Sequence, residues 1–110
     1  NSMLEHGSSG ATKIADRVEY MLGIAATLGR IENWMWEKAT ENIVFDEEIK
    51  RKICEKNPWA LCKIIEKLLE AAKRGYWKAD KSVIDRLKRE YLEIEKILED
   101  KVTFPKNTRI

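Results

Sequence analysis

The chain has 110 residues, 44% hydrophobic and 36% charged. That fits one soluble domain with heavily charged polar faces and is too short for most enzymes of elaborate chemistry. Its 21 basic and 19 acidic residues leave a net charge of +2 with the signs interleaved. No broad basic field exists to hold a phosphate backbone, so no nucleic-acid partner is expected. No apolar run approaches the ~20 residues needed to cross a bilayer, so no membrane span is expected.

The opening residues 1–10, NSMLEHGSSG, are rich in Gly and Ser and lack the apolar centre of a signal peptide. They read as an expression scar, and on that reading more of the native polypeptide is expected upstream. The folded domain is expected over residues 11–101 and an irregular tail, VTFPKNTRI, over 102–110.

From about Thr12 to Leu28, Ile14, Val18, Met21, Leu22, Ala25 and Leu28 recur at helical intervals. Gly23 within that helix costs about 1 kcal/mol against alanine and points to close approach of another element. Gly29 is placed to end it. Asn33 can cap a short second helix. Trp34, Met35 and Trp36 are consecutive and cannot all share one helix face, so at least one is expected at the edge of the core or at an interface. Ile43, Val44 and Phe45 read as a short extended link. Asp46 then caps a helix whose first turn carries Glu47 and Glu48, opposite the positive end of its dipole.

Asn57 and Pro58 end that helix and start the next: the residue before proline avoids helical geometry, and proline suits the first helical position. Leu61, Ile64, Ile65, Leu68, Leu69 and Ala72 form a wide apolar stripe, the expected centre of the core. Gly75, just past Lys73 and Arg74, is a C-terminal stop, with Tyr76 and Trp77 folding back on the last turn. A final helix runs from about Lys81 to Asp100, capped by Asp80 or Ser82. Its seam is Ile84, Leu87, Tyr91, Ile94 and Leu98, and opposite charges lie four apart at Asp85–Arg89, Arg86–Glu90, Arg89–Glu93 and Lys96–Asp100. The fold expected is all-α, a compact single-domain bundle of four to five helices.

Catalytic signatures are absent from the sequence. There is no Gly-rich phosphate loop, no HExxH, and a lone histidine, His6, in the N-terminal segment. Cys54 and Cys62 lack metal-binding spacing and read as reduced thiols, at home in the cytoplasm. Glu47–Glu48 is a helix start before it is a carboxylate pair. No catalytic residue and no metal ligand is assigned. Four tryptophans are a surplus for this length. They serve either as core or as an aromatic surface for a flat ligand or a partner. Trp36, Arg74, Tyr76 and Trp77 are the candidates for such a surface.

Three stretches carry a family resemblance: MLGIAATLGRIENWMW over 21–36, FDEEIKRKICEKNPWAL over 45–61, and EKLLEAAKRGYWKAD over 66–80. In this order they resemble the C-terminal end of the large subunit of the cobaltochelatase and magnesium chelatase family. Gly23, Thr27, Gly29, Trp34, Asp46, Asn57, Pro58, Arg74, Gly75 and Trp77 match family positions. The resemblance implies ATP-dependent insertion of a divalent metal into a tetrapyrrole, with cobalt for corrinoid synthesis as the first choice and magnesium as the second. It implies partners as well: an AAA+ ATPase that uses ATP-Mg, a companion subunit, the upstream part of the large subunit, and the tetrapyrrole. No cofactor is expected in this domain itself, which is expected to be non-catalytic alone. Its role is either to help form the tetrapyrrole site or to dock other subunits or domains.

Overall fold

A computed structural model describes the backbone of residues 2–101 and the side chains of residues 13–100. The described residues form five α-helices: α1 (Ser2–Leu28), α2 (Asn33–Ala39), α3 (Glu47–Lys56), α4 (Pro58–Lys73) and α5 (Lys81–Lys101). A π-helical turn, Thr40–Val44, follows α2 directly. Among the described residues there is no strand. The all-α expectation therefore holds. The tail 102–110 lies outside the described residues, as does the side chain of His6.

α4 is the axis of the bundle. Leu61, Ile64, Ile65, Leu68 and Ala71 are fully buried along it, and α1 and α5 pack on it from either side. α1 contributes small residues to this contact, with Ala15, Ala25 and Ala26 buried beside Leu22. Such side chains let two helix backbones come close, and the close packing holds the core together. Gly23 sits at the same approach: a Cβ there would lie 3.0 Å from Cε of Lys67 on α4. α5 buries Leu87, Ile94 and Leu98, with Ile84 and Tyr91 half-buried, as the seam predicts.

Several local expectations are corrected. α1 begins at Ser2 rather than near Thr12, so residues 2–10 continue the helix rather than standing apart from it. Ile43 and Val44 are not extended. They lie in the π-helical turn and are buried, because carrying the helical backbone on past Ala39 turns both side chains into the core. Asn33 is the first residue of α2, not its cap; Glu32 takes the cap position. Asn57 precedes α4 without a side-chain capping bond, so the proline alone makes that start. Asp80 stands just before α5, and its carbonyl accepts from the N–H groups of both Val83 and Ile84, leaving Ser82 inside the first turn. Asp46 caps as expected, its Oδ1 accepting from Ile49 N–H at 3.0 Å.

One buried ion pair fixes α3 against α5. Lys50 Nζ lies 2.7 Å from Glu90 Oε1, with both side chains largely buried. Burial alone would push the Lys50 pKa down. The hydrogen bond and charge of Glu90, helped by Glu47, outweigh it and hold the ammonium above its usual value. Arg86 approaches Glu90 from the same helix at 3.9 Å and stacks over the Phe45 ring at 3.9 Å from its centroid.

Candidate functional site

The end of α4 and the end of α1 meet, and their two glycines set the geometry. Gly75 has φ 86°. Tyr76 N–H donates to the Ala71 carbonyl at 2.9 Å, and Gly75 N–H donates to that of Ala72 at 3.2 Å. This double closure satisfies carbonyls that the helix end would otherwise leave unpaired. Gly29 has φ 63° and closes α1 through a bond to the Ala25 carbonyl.

The two turns then clasp each other. The Tyr76 ring lies directly over Gly29, where a Cβ would come within 2.7 Å of its Cε1. Arg74 Nη1 donates to the Ala26 carbonyl at 3.4 Å, a cation placed at the negative end of α1. Lys78 N–H donates to Asn33 Oδ1 at 2.9 Å, so Asn33 pins the segment leaving the α4 turn rather than capping α2. Trp77 is driven into the core.

The four candidate surface residues therefore separate. Trp36 and Trp77 are 0% and 2% exposed and offer no face to a ligand; each buries its indole N–H without a hydrogen-bond partner. The large apolar ring outweighs that loss at both positions. Tyr76 is at the surface but leans on Gly29. The exposed tryptophans are Trp34 and Trp59. Three adjacent bulky residues resolve as expected: Trp34 out, Met35 half-buried, Trp36 in.

Arg74 does reach a site. It lines a groove of about 830 Å³ between the second half of α4 and the middle of α5. Leu69, Tyr91 and Leu92 supply the apolar surface, and Leu92 is 59% exposed. Tyr91 donates its hydroxyl to Glu66 Oε2 at 2.6 Å, which fixes the register of the two antiparallel helices. Toward the C-terminal end of α4 the rim turns basic, with Lys73 and Arg74 on α4 and Lys88 on α5. Glu70 partly offsets this, since its carboxylate is 2.9 Å from Arg74 Nη2. The arrangement suits a ligand with a broad apolar body and carboxylates at one edge.

The hydrogen bond to Glu66, then burial, hold the Tyr91 hydroxyl protonated well above the usual tyrosine range. Burial pushes the Cys62 thiol up to about 11, so it is a packing residue rather than a nucleophile. Among the described residues no three His, Cys, Asp or Glu side chains are grouped to hold a metal ion. No described helix is long and apolar enough to cross a membrane.

Sequence reasoning missed Lys73, Lys88 and Leu92. Leu92 carried a legible signal, being a large apolar residue off the α5 seam. Lys73 and Lys88 carried none, because lysines on exposed helix faces are ordinary.

The sequence matches the family model of CobN/Magnesium Chelatase over residues 1–84. That span takes in residues 1–10, the stretch whose composition resembles an expression scar. An uncharacterised protein of Methanocaldococcus jannaschii, MJ0908, is 44% identical over 100 residues, which is 91% of this chain and 8% of that protein. The H subunit of magnesium chelatase from Chlorobaculum parvum is 41% identical over 97 residues, covering 88% of this chain and 8% of that relative. Aerobic cobaltochelatase subunit CobN of a Sinorhizobium species is 36% identical over 77 residues, 70% of this chain and 6% of that relative. The chain thus spans less than a tenth of the length of these relatives. With three quarters of its residues inside the family model, the chain belongs to the CobN/magnesium chelatase family.

Proposed function

We propose that this chain is the C-terminal helical domain of a chelatase large subunit, and that it lends one wall to the tetrapyrrole site. The full-length protein acts as a ligase-type chelatase in the cytoplasm. It inserts cobalt, or alternatively magnesium, into a corrin or porphyrin ring, with ATP-Mg consumed on an AAA+ partner. Relatives named for each metal support the class of reaction and leave both metals open. The domain itself contributes binding surface rather than catalytic groups.

The observation that carries this reading is the α4–α5 groove. Its apolar floor matches a flat macrocycle, and Lys73, Arg74 and Lys88 match the carboxylates such rings carry at their edge. Arg74 is partly committed to Glu70 and Ala26, so Lys73 and Lys88 are the freer anchors.

The test is a titration of the protein with a dicarboxylate porphyrin, followed by tryptophan quenching. Saturable binding that Lys88→Glu weakens roughly tenfold, the loss of one charge-assisted contact, supports the reading. The weakening should shrink at high salt. Equal affinity for the wild type and Lys73→Glu/Lys88→Glu, with folding intact, removes the groove from the tetrapyrrole site.

A further inference from the structure

α1 has two apolar faces, and the bundle covers only one. Successive helix residues are 100° apart. The buried Ala15, Leu22, Ala25 and Ala26 occupy one arc facing α4. Tyr20, Met21, Ile24 and Leu28 occupy the neighbouring arc and are 73%, 39%, 44% and 53% exposed. From Tyr20 to Leu28 this second arc contains no charge. Past the Gly29 turn it continues onto Ile31 and Met35, which with Tyr20, Met21, Ile24 and Leu28 line a shallow cleft of about 400 Å³ that Arg30 also lines. Arg17 on the same arc bounds this patch at its N-terminal end. A helix stretch apolar over about two-thirds of its circumference belongs inside a protein, not on its surface.

We infer that this second face of α1 is the seat of another part of the same large subunit, an apolar-faced segment of the polypeptide that the relatives carry beyond this region. The inference rests on the reading of the chain as one domain of a chelatase large subunit. The chain spans 8% of MJ0908 and of the Chlorobaculum parvum H subunit, so most of such a subunit is available to cover the face. Area decides against a second copy. The strip offers on the order of 400 Å², half of the ~800 Å² that each partner brings to a standard stable complex. Two separate copies joined through it would sit at the scale of a lattice contact. A segment of the same polypeptide needs far less area, because tethering holds it at about millimolar effective concentration. None of Tyr20, Met21, Ile24 and Leu28 lines the α4–α5 groove, so seating a segment on them leaves the groove open.

The test is cysteine protection. Ile24→Cys places a thiol on the exposed face, and Lys96→Cys places a control on the solvated side of α5, each with Cys54→Ser and Cys62→Ala. Maleimide labelling is compared between the 110-residue chain and the full-length large subunit that contains it. The expected result is that the thiol at position 24 labels as fast as the control in the short chain and an order of magnitude more slowly in the full subunit. Equal labelling in the full subunit overturns the inference while leaving the chelatase reading intact. Protection already present in the short chain, with a dimer on light scattering, assigns the face to a second copy and overturns it too. If the native polypeptide is no longer than this chain, the inference falls together with the fragment reading beneath it.

Discussion

Replacing Gly29 with alanine should be the most damaging glycine-to-alanine change among the described side-chain positions, and its cost should be separable into two parts. The first is conformational. Gly29 has φ 63°, a region where an L side chain costs about 1–2 kcal/mol. The second is steric. The new Cβ would lie 2.7 Å from Cε1 of Tyr76 and 3.0 Å from both Cδ1 and Cζ, so a rigid ring must move. Forcing an extra carbon into packed surroundings costs about 1–3 kcal/mol. Together these give a loss of about 2–5 kcal/mol, a large share of a small domain's stability. Gly75 supplies the internal control. It has φ 86°, and nothing lies within 4 Å of the place its Cβ would take, so Gly75→Ala should show the conformational part alone, about 1–2 kcal/mol. Tyr76→Ala supplies the second control. In that background the steric part vanishes, and Gly29→Ala should cost no more than Gly75→Ala does in the wild type. Urea unfolding of the four-member cycle, followed by circular dichroism, measures the coupling. A coupling energy near zero, or a Gly29→Ala cost equal to that of Gly75→Ala, would refute the clasp between Tyr76 and Gly29.

Gly23→Ala should do the opposite and stabilise the fold by about 0.5–1 kcal/mol. Its Cβ meets only the far end of the flexible Lys67 side chain, so a raised Tm is expected and a lowered one would show that Lys67 cannot give way. Glu90→Gln should lower stability by about 1–3 kcal/mol, because it leaves the buried Lys50 ammonium with only the more exposed Glu47 as a charged partner. Lys50→Met/Glu90→Leu should recover most of that loss in urea unfolding, since two apolar groups need no pairing. Tyr91 should ionise late in an ultraviolet alkaline titration, and Tyr91→Phe should remove that late step. Its folded pKa lies above the ordinary value of 10.0, so the bond to Glu66 contributes fully below that pH and is lost as pH rises through the higher folded value. Unfolding midpoints of wild type and Tyr91→Phe should therefore differ at neutral pH and converge in strong alkali.

The helices are legible in the sequence because each is set by local grammar. The α4 stripe, the α5 seam, the Asp46 cap and the two glycine stops follow from spacing, capping and φ > 0. Errors arise where local grammar is silent or double-edged. Ile43-Val44-Phe45 has the β-branched look of an extended link, yet tertiary burial of Ile43 and Val44 wins and the chain stays helical there. Asn33 has the chemistry of a cap, but a closer donor, the Lys78 N–H, takes its carbonyl oxygen. Of the expected charge pairs on α5, Arg86–Glu90 forms at the largely buried Glu90, whereas the exposed Asp85 turns to Lys81 at 3.4 Å. Exposed pairs are worth so little that sequence spacing cannot choose between them. The groove is the least legible feature. It is made by two helices distant in sequence, and only Arg74 among its basic residues stands beside an aromatic cluster that marks it out.

The same contrast explains why the most motif-rich part of the chain is not the site proposed for it. The stretches around Gly29 and around Arg74-Gly75-Tyr76-Trp77 both carry part of the family resemblance, which invites a catalytic or ligand-binding reading. In the fold they are partners of each other. Tyr76 covers Gly29, Arg74 reaches the Ala26 carbonyl, and Asn33 holds Lys78. Trp77 fills the core behind them. Each unusual residue is accounted for by a turn, a cap or a close contact, so these positions would be constrained by folding alone. Their effect on function is indirect and still specific. The clasp fixes where α4 ends and how α1 lies against it. That sets the position of Arg74 and Lys73 on the groove rim on one side, and the outward presentation of Tyr20, Ile24 and Leu28 on the other. Loosening the clasp should therefore disturb both surfaces at once, whereas Lys88→Glu and Ile24→Cys each touch one.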